Sequence, residues 1–217
     1  RAGPTEAGGA PMITLSEPAQ LNLREFLRPG DHIVWGQACA EPTSLVEALI
    51  AQASNIGGLS AFAATSFSGL LDAAAAQNIA FTSMGAIGVL RTLTAAHRLS
   101  IVPCHVAQVG PLIEQGLIGC DVAFVQVSPP DANGNHSFGL TNDFIHVAVA
   151  KARVVIAEVN DQVPFTYGDA VLPASRITCA LRVSRTPVEV MPAPLHYPDG
   201  AIPCAVAEFI ANRSVLR

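Results

Sequence analysis

Three short stretches concentrate the groups that could bind or position a substrate: WGQACAEPTS (35–44), VSPPDANGNHSFG (127–139) and EVNDQVPFTYGD (158–169). They hold carboxylates, carboxamides and hydroxyls, namely Gln37, Glu41, Ser128, Asp131, Asn133, Glu158 and Asn160. Such groups supply hydrogen bonds, and a carboxyl taken out of water keeps its proton to unusually high pH. A fourth cluster, AATSFSG (63–69), adds Thr65, Ser66 and Ser68. It lacks the G-x-S-x-G spacing, so it implies no nucleophile elbow. The sequence contains no P-loop and no G-x-G-x-x-G. The six histidines show no metal-ligand spacing, and no metal is expected.

Each stretch also has a plain structural reading. Gly36 lets the backbone leave a strand tightly, and Glu41 falls at or beside a helix N-terminus, where the macrodipole favours a negative charge; alone, that describes a helix cap. Asp131, Asn133 and Gly134 are turn formers after a stiff Pro-Pro, and Asn-Gly is a strong tight-turn signal. His136 then reads as a surface or hydrogen-bonding residue. Glu158 closes an apolar run, so it is either buried and paired or aimed at a cleft, because a buried unpaired carboxylate is costly. Asn160 and Asp161 can cap the strand end, with Pro164, Gly168 and Asp169 shaping the loop.

The elements that must position these groups alternate between strand and helix. Apolar runs at 31–36, 58–64, 79–83, 99–104, 120–128 and 153–159 read as strands, with a short edge strand near 179–184. Helical spacing marks 43–53, 86–98, 109–117, 141–152 and 202–213, with a helix or helical turn at 69–77. Runs 120–128 and 153–159 are apolar on both faces, as in central strands of a parallel sheet. The expected fold is α/β: an open, mainly parallel sheet with helices on both faces, built from right-handed βαβ units. Ligands of such sheets gather at the carboxyl ends of the strands, where the three stretches fall.

At 217 residues the chain fits one large domain. Only 13% of residues are charged, against about 25% in ordinary soluble domains, while 50% are hydrophobic. Part of the surface is therefore expected to be covered by something this chain lacks. The net charge of -5 and the absence of a basic cluster argue against nucleic acid. No stretch reads as a membrane span or signal peptide. The five cysteines, odd in number and without a CxxC, read as buried, reduced thiols of a cytoplasmic protein. Residues 1–11, ahead of Met12, read as a disordered tail or a cloning remnant, leaving 12–217 as the domain.

Taken together, LRPGDHIVWGQACAEPTSLVEAL, VSPPDANGNHSFG and AKARVVIAEVNDQVPFTYGDA resemble the amino-terminal half of the acetyl-CoA hydrolase/transferase family, in its 4-hydroxybutyrate CoA-transferase branch. The resemblance runs from about Leu27 to Ile177, and 202–213 resembles the helix leading into the family's second half. It implies a NagB/RpiA/CoA-transferase-like fold with the active site between two domains. Coenzyme A is then a co-substrate carried as acyl-CoA, and the other substrate is a small carboxylic acid. A glutamate attacks the thioester, giving a mixed anhydride and then a glutamyl-CoA thioester. In the family that glutamate and the main CoA-binding loop lie in the second domain, so the resemblance places no catalytic residue here. It implies a carboxy-terminal domain or partner subunit, and the apolar surface favours association with that half or with a second copy of the chain. Gln37, Glu41, Ser66, Ser128, Asp131, Asn133 and Asn160 are the expected substrate-wall residues. The rival readings are a non-catalytic binding or assembly module and a sugar-phosphate isomerase or deaminase. The scarcity of Lys and Arg in these loops counts against the last.

Overall fold

In the computed structural model, residues 12–168, 171–192, 194 and 199–215 are described. The expected tail at 1–11, and Asp169, lie outside them. Eight strands form one parallel sheet: β1 (Ile13–Leu15), β2 (His32–Trp35), β3 (Leu59–Phe62), β4 (Ile79–Ser83), β5 (Leu99–Ile101), β6 (Val122–Val127), β8 (Val154–Asn160) and β10 (Cys179–Val183), in the spatial order β1-β10-β8-β6-β2-β3-β4-β5. A two-stranded antiparallel ribbon pairs β7 (Asn135–Ser137) with β9 (Val171–Pro173). The helices are α1 (Thr43–Ile56), α2 (Leu90–Ala95), α3 (Val106–Glu114), α4 (Ile145–Lys151) and α5 (Ala201–Ala207).

Strand alternation splits the core into two layers. Val122 and Phe124 of β6, with Val154 and Ile156 of β8, pack with Leu45, Leu49 and Ala53 of α1 and with Leu90 and Leu93 of α2. Ala123, Val125, Val127, Val155 and Ala157 point to the other face, against Val109 and Ile113 of α3 and Ile145, Ala148 and Val149 of α4. Every residue of β6 and β8 is buried, as continuous apolar runs require.

The winding reverses between β2 and β6. From β2 the chain runs outward through β3 and β4 to β5; from β6 it runs the other way through β8 to β10. The carboxyl ends of all eight strands share one rim, and this reversal opens the crevice there that ligands of open α/β sheets use. The loops after Trp35, Val127 and Asn160 therefore emerge side by side.

Several elements differ from the sequence expectation. β10 is interior, because the unforeseen β1 pairs along it from Ile13↔Cys179 to Leu15↔Leu181. Helix α3 starts three residues before the expected 109, where the His105 side chain accepts the Ala107 N–H and Gln108 reaches back to the His105 N–H. Segment 69–77 holds a single 3-10 turn, Ala75–Gln77. The last helix is shorter than 202–213, and none of its residues is buried. The thiols are free but not uniformly buried: Cys179 is buried, Cys39, Cys104 and Cys120 are partly covered, and Cys204 is exposed. Burial pushes the Cys120 thiol up to about 12 and that of Cys179 to about 11, which leaves both protonated and unreactive at neutral pH. Among the described residues no helix is long and apolar enough to cross a membrane, and no group of three or more His, Cys, Asp or Glu could hold a metal ion.

Gly88 locks the loops after β3 and β4 together. It adopts φ 63°, pairs with Ser66, and a Cβ on it would lie 2.1 Å from the Ser66 carbonyl oxygen. Backbone cannot yield as a flexible side chain can. Gly88→Ala is expected to cost about 2 kcal/mol or more, read as a lower urea midpoint at unchanged m-value.

Candidate functional site at the carboxyl rim

The strand register sets the site. Gln126 and Glu158 are cross-strand partners near the carboxyl ends of β6 and β8, and both point to the α1 face of the sheet. The amino end of α1 sits beside them. Pro42 occupies the N-cap position and offers no capping side chain, so the first turn needs an acceptor from elsewhere. Glu158 supplies it: its Oε2 accepts the Ser44 N–H at 2.8 Å. A carboxylate at a helix N-terminus meets both the orphan donor and the positive end of the dipole. The cap of this helix is thus Glu158, 114 residues along the chain, and not the adjacent Glu41.

Arg185 completes the arrangement. Its Nε donates to Glu158 Oε1 at 2.8 Å, and Nη2 donates to the same oxygen, to Gln126 Oε1 at 2.9 Å and to the Glu41 carbonyl at 3.1 Å. Gln126 in turn donates to the Cys39 carbonyl at 3.2 Å. Asn160 grips the Arg185 backbone, donating to its carbonyl at 2.8 Å and accepting its N–H at 3.3 Å. Its Oδ1 also accepts from Gln162, closing the turn after β8. Glu158 and Asn160 have no exposed surface. Burial pushes the Glu158 carboxyl above the usual carboxylate range, and the Arg185 guanidinium and the Ser44 amide act against that.

Glu41 is equally buried but differently partnered. Its two carboxyl oxygens lie 3.1 and 2.9 Å from Ser66 Oγ, and Ser66 is itself buried. Burial raises its pKa, and the bonds to Ser66 and Ser68 offset this in part. This contact ties the loop after β2 to the loop after β3, as does the Ala38 N–H donated to the Thr65 carbonyl at 2.7 Å. Ala38 adopts φ 54°, a conformation that costs a non-glycine residue about 1–2 kcal/mol. Gly36 lies where a Cβ would be 2.8 Å from the Ala40 carbonyl oxygen, the close approach that the tight exit from β2 needs. Gln37 reaches the other way and donates to Asp143 Oδ2 at 2.7 Å, just before α4.

The loop after β6 is a folded turn. Asp131 Oδ1 accepts the N–H groups of Asn133 and Asn135, and these bonds hold its carboxyl below the usual range. The Ser128 hydroxyl accepts the Ser137 N–H and donates to the Pro129 carbonyl. His136 is buried and hydrogen-bonds the Ser128 carbonyl at 2.8 Å. Asn133 is exposed. Ser137 Oγ joins this loop to Thr166 in the loop after β8. Between the two loops lies an open groove of about 530 Å³, lined by Pro129, Pro130, Phe165, Tyr167 and Val171 together with Ser128. A larger concavity, about 580 Å³, lies at the opposite rim beside Gly57, Asn78 and Arg98, away from these groups.

The structure therefore brings Glu41, Ser66 and Asn160 into one connected network. Gln37 borders it, while Ser128, Asp131 and Asn133 build the neighbouring turn. Sequence reasoning missed Gln126 and Arg185. Gln126 was readable: VAFVQV and VVIAEV each carry one polar residue, at the same penultimate place. Arg185 is a single cation in an irregular segment, and only the need of a buried carboxylate for a partner pointed toward it.

The family model for the acetyl-CoA hydrolase/transferase N-terminal domain matches residues 19–192. The chain is 30% identical over 207 residues to the 4-hydroxybutyrate coenzyme A transferase of Clostridium kluyveri, an alignment covering 85% of this chain and 48% of that protein. It is similar in structure to RipA from Yersinia pestis, with TM-score 0.82 and 25% identity over 92% of this chain and 49% of RipA. A 4-hydroxybutyrate CoA-transferase from Porphyromonas gingivalis superposes with TM-score 0.62 and 27% identity, over 84% of this chain and 42% of that one. The chain thus spans about half the length of these relatives.

Glu41 yields a pH-dependent expectation. A carboxyl whose folded pKa is raised stabilises the fold fully below its unfolded value near 4.5, and the contribution is lost as pH rises through the folded pKa. Glu41→Gln keeps the shape and an acceptor for Ser66 without the ionisable proton. The variant should match wild type in Tm near pH 4 and exceed it increasingly toward pH 8, by about 2–4 °C for each kcal/mol recovered. A constant difference across that range would show that Glu41 titrates normally.

Proposed function

The chain belongs to the acetyl-CoA hydrolase/transferase family, and from that premise we propose that its carboxyl rim is one wall of an active site completed by a second domain or subunit. There CoA passes from an acyl-CoA to a small carboxylic acid, or the acyl-CoA is hydrolysed. The observation that carries this reading is the gathering, at the reversal point of the sheet, of the same three loops that bear the family resemblance.

Two features support a wall without a nucleophile. Glu41 and Glu158 have no exposed surface and are held by Ser66 and by Arg185. Neither carboxylate can approach a thioester carbonyl without unmaking the network. A covalent glutamate would come from the other half: its carboxylate displaces CoA thiolate to form a mixed anhydride, and the thiolate then attacks the glutamyl carbonyl, releasing the carboxylic acid. The rim also exposes Phe67, Ile87, Leu140, Tyr167 and Val171 in or beside its loops. Tyr167, at 95% exposure, is a large ring that a covering partner would bury. This agrees with a chain spanning about half the length of its relatives.

In this reading Gln37, Ser128 and Asn133 border the acyl group, while Glu41, Ser66, Asp131 and Asn160 hold the loops in shape. Water or a carboxylic acid reaching the intermediate decides between hydrolase and transferase. We place the protein in the cytoplasm, as a self-associating enzyme that needs no metal.

The test is exchange of CoA between acetyl-CoA and a labelled carboxylic acid by the protein as its gene encodes it, with borohydride trapping of the glutamyl thioester. Exchange is expected from the whole protein, and residues 12–217 alone should be inactive. Turnover by 12–217 unaided would overturn the two-part site. Within the whole enzyme, Asn160→Ala should lower turnover about tenfold or more by releasing the Arg185 segment; wild-type turnover and acyl-CoA affinity in that variant would make the rim a scaffold only.

A further inference from the structure

We infer that Arg185 is the positioning residue of this rim, holding the loop 36–41 and the start of α1 in register with the ends of β6 and β8. The inference rests on the function proposed above and adds to it a residue and a role.

One planar guanidinium reaches three separate chain segments: Glu158 on β8, Gln126 on β6 and the Glu41 carbonyl in the loop after β2. Arginine's rigid fork of donors suits this, whereas a lysine ammonium is a point charge on a flexible stem. The side chain is 21% exposed, while that of its partner Glu158 is fully buried. Glu158 in turn fixes the Ser44 amide. The position of Arg185 along the chain matters as much as its contacts. It lies two residues beyond the end of β10. Asn160 fastens its backbone from both sides, and the following residues 186–192 are exposed or only partly covered. The point at which the chain leaves the sheet and the shape of the substrate wall are therefore set by the same residue.

The test separates positioning from charge balance. Glu158→Gln with Arg185→Met removes both charges and keeps an acceptor for Ser44. Replacing a buried pair in this way is often close to neutral in stability. In the protein as encoded, the double variant is expected to keep its Tm within a few degrees of wild type. Its kcat should fall about 10- to 100-fold with KM for acyl-CoA within about threefold. Amide exchange at Ala38 and Glu41 should quicken about tenfold or more. Wild-type kcat together with wild-type exchange would overturn the inference and leave Arg185 as a counter-charge. Should the double variant not fold, Arg185→Lys carries the test: it keeps the charge and loses the fork, so the same faster exchange and lower kcat are expected, and wild-type values of both would overturn it. A wild-type protein that moves no CoA defeats the proposed function instead, and the exchange rates at Ala38 and Glu41 still decide the clamp.

Discussion

A carboxylate with no exposed surface near the end of a central strand is the constraint on which the rim depends. Moving an ionised carboxylate out of water costs several kcal/mol even after the protein relaxes, and attraction to a cation offsets this only with good geometry and every lone pair used. Glu158 approaches those conditions by drawing in partners from distant parts of the chain, Ser44 from the start of α1 and Arg185 from beyond β10, although its carboxyl still lies above the usual carboxylate range. Each partner is placed by its own local logic. Ser44 is an orphan donor because Pro42 cannot cap the helix, and Arg185 is held by Asn160. The apolar strand that ends among polar residues is thus the anchor point to which three other segments are fitted.

The sheet was legible because its signal is local. Six apolar strands separated by helical segments imply parallel βαβ winding, and a strand apolar on both faces must be central. What escaped the reading is non-local. β1 is three residues long, with two of them exposed, and nothing in Ile13–Leu15 itself marks a strand. It exists because β10 offers an unpaired edge, and its presence turns an expected edge strand into an interior one. The β7–β9 ribbon joins segments 36 residues apart at the register His136↔Leu172. Turn chemistry correctly marks its first half, since the Asp131 side chain folds the loop, but the partner strand carries no pattern of its own.

The site residues divide along the same line. Glu41, Ser66 and Asn160 stand out as polar groups in apolar surroundings, and the structure joins them. Asp131 and Ser128 stand out for the same reason, yet their polar atoms are taken up by the backbone of their own turn and of the strand beside it. Sequence shows that a polar group must be satisfied. It does not show whether the satisfying atom is a nearby amide or a side chain a hundred residues away. Arg185 is the clearest case, because its importance lies wholly in where the chain returns.

The two buried glutamates, both in contact with Arg185, reach opposite solutions. Glu158 has a cation and an amide; Glu41 has serine hydroxyls, while the guanidinium touches only its backbone carbonyl. A serine can donate to a carboxylate or accept from a carboxylic acid, so the contact survives either protonation state of Glu41. A guanidinium has only donors and fits a carboxylate alone. Among the two buried glutamates, Glu158 is paired with a cation, while Glu41 keeps a contact that tolerates either protonation state. In the proposed site neither buried glutamate would be free to compete as a nucleophile, and Arg185 would not be a bare cation that traps the acid. That division of labour is what a half-site should have if the reactive carboxylate approaches from across the cleft.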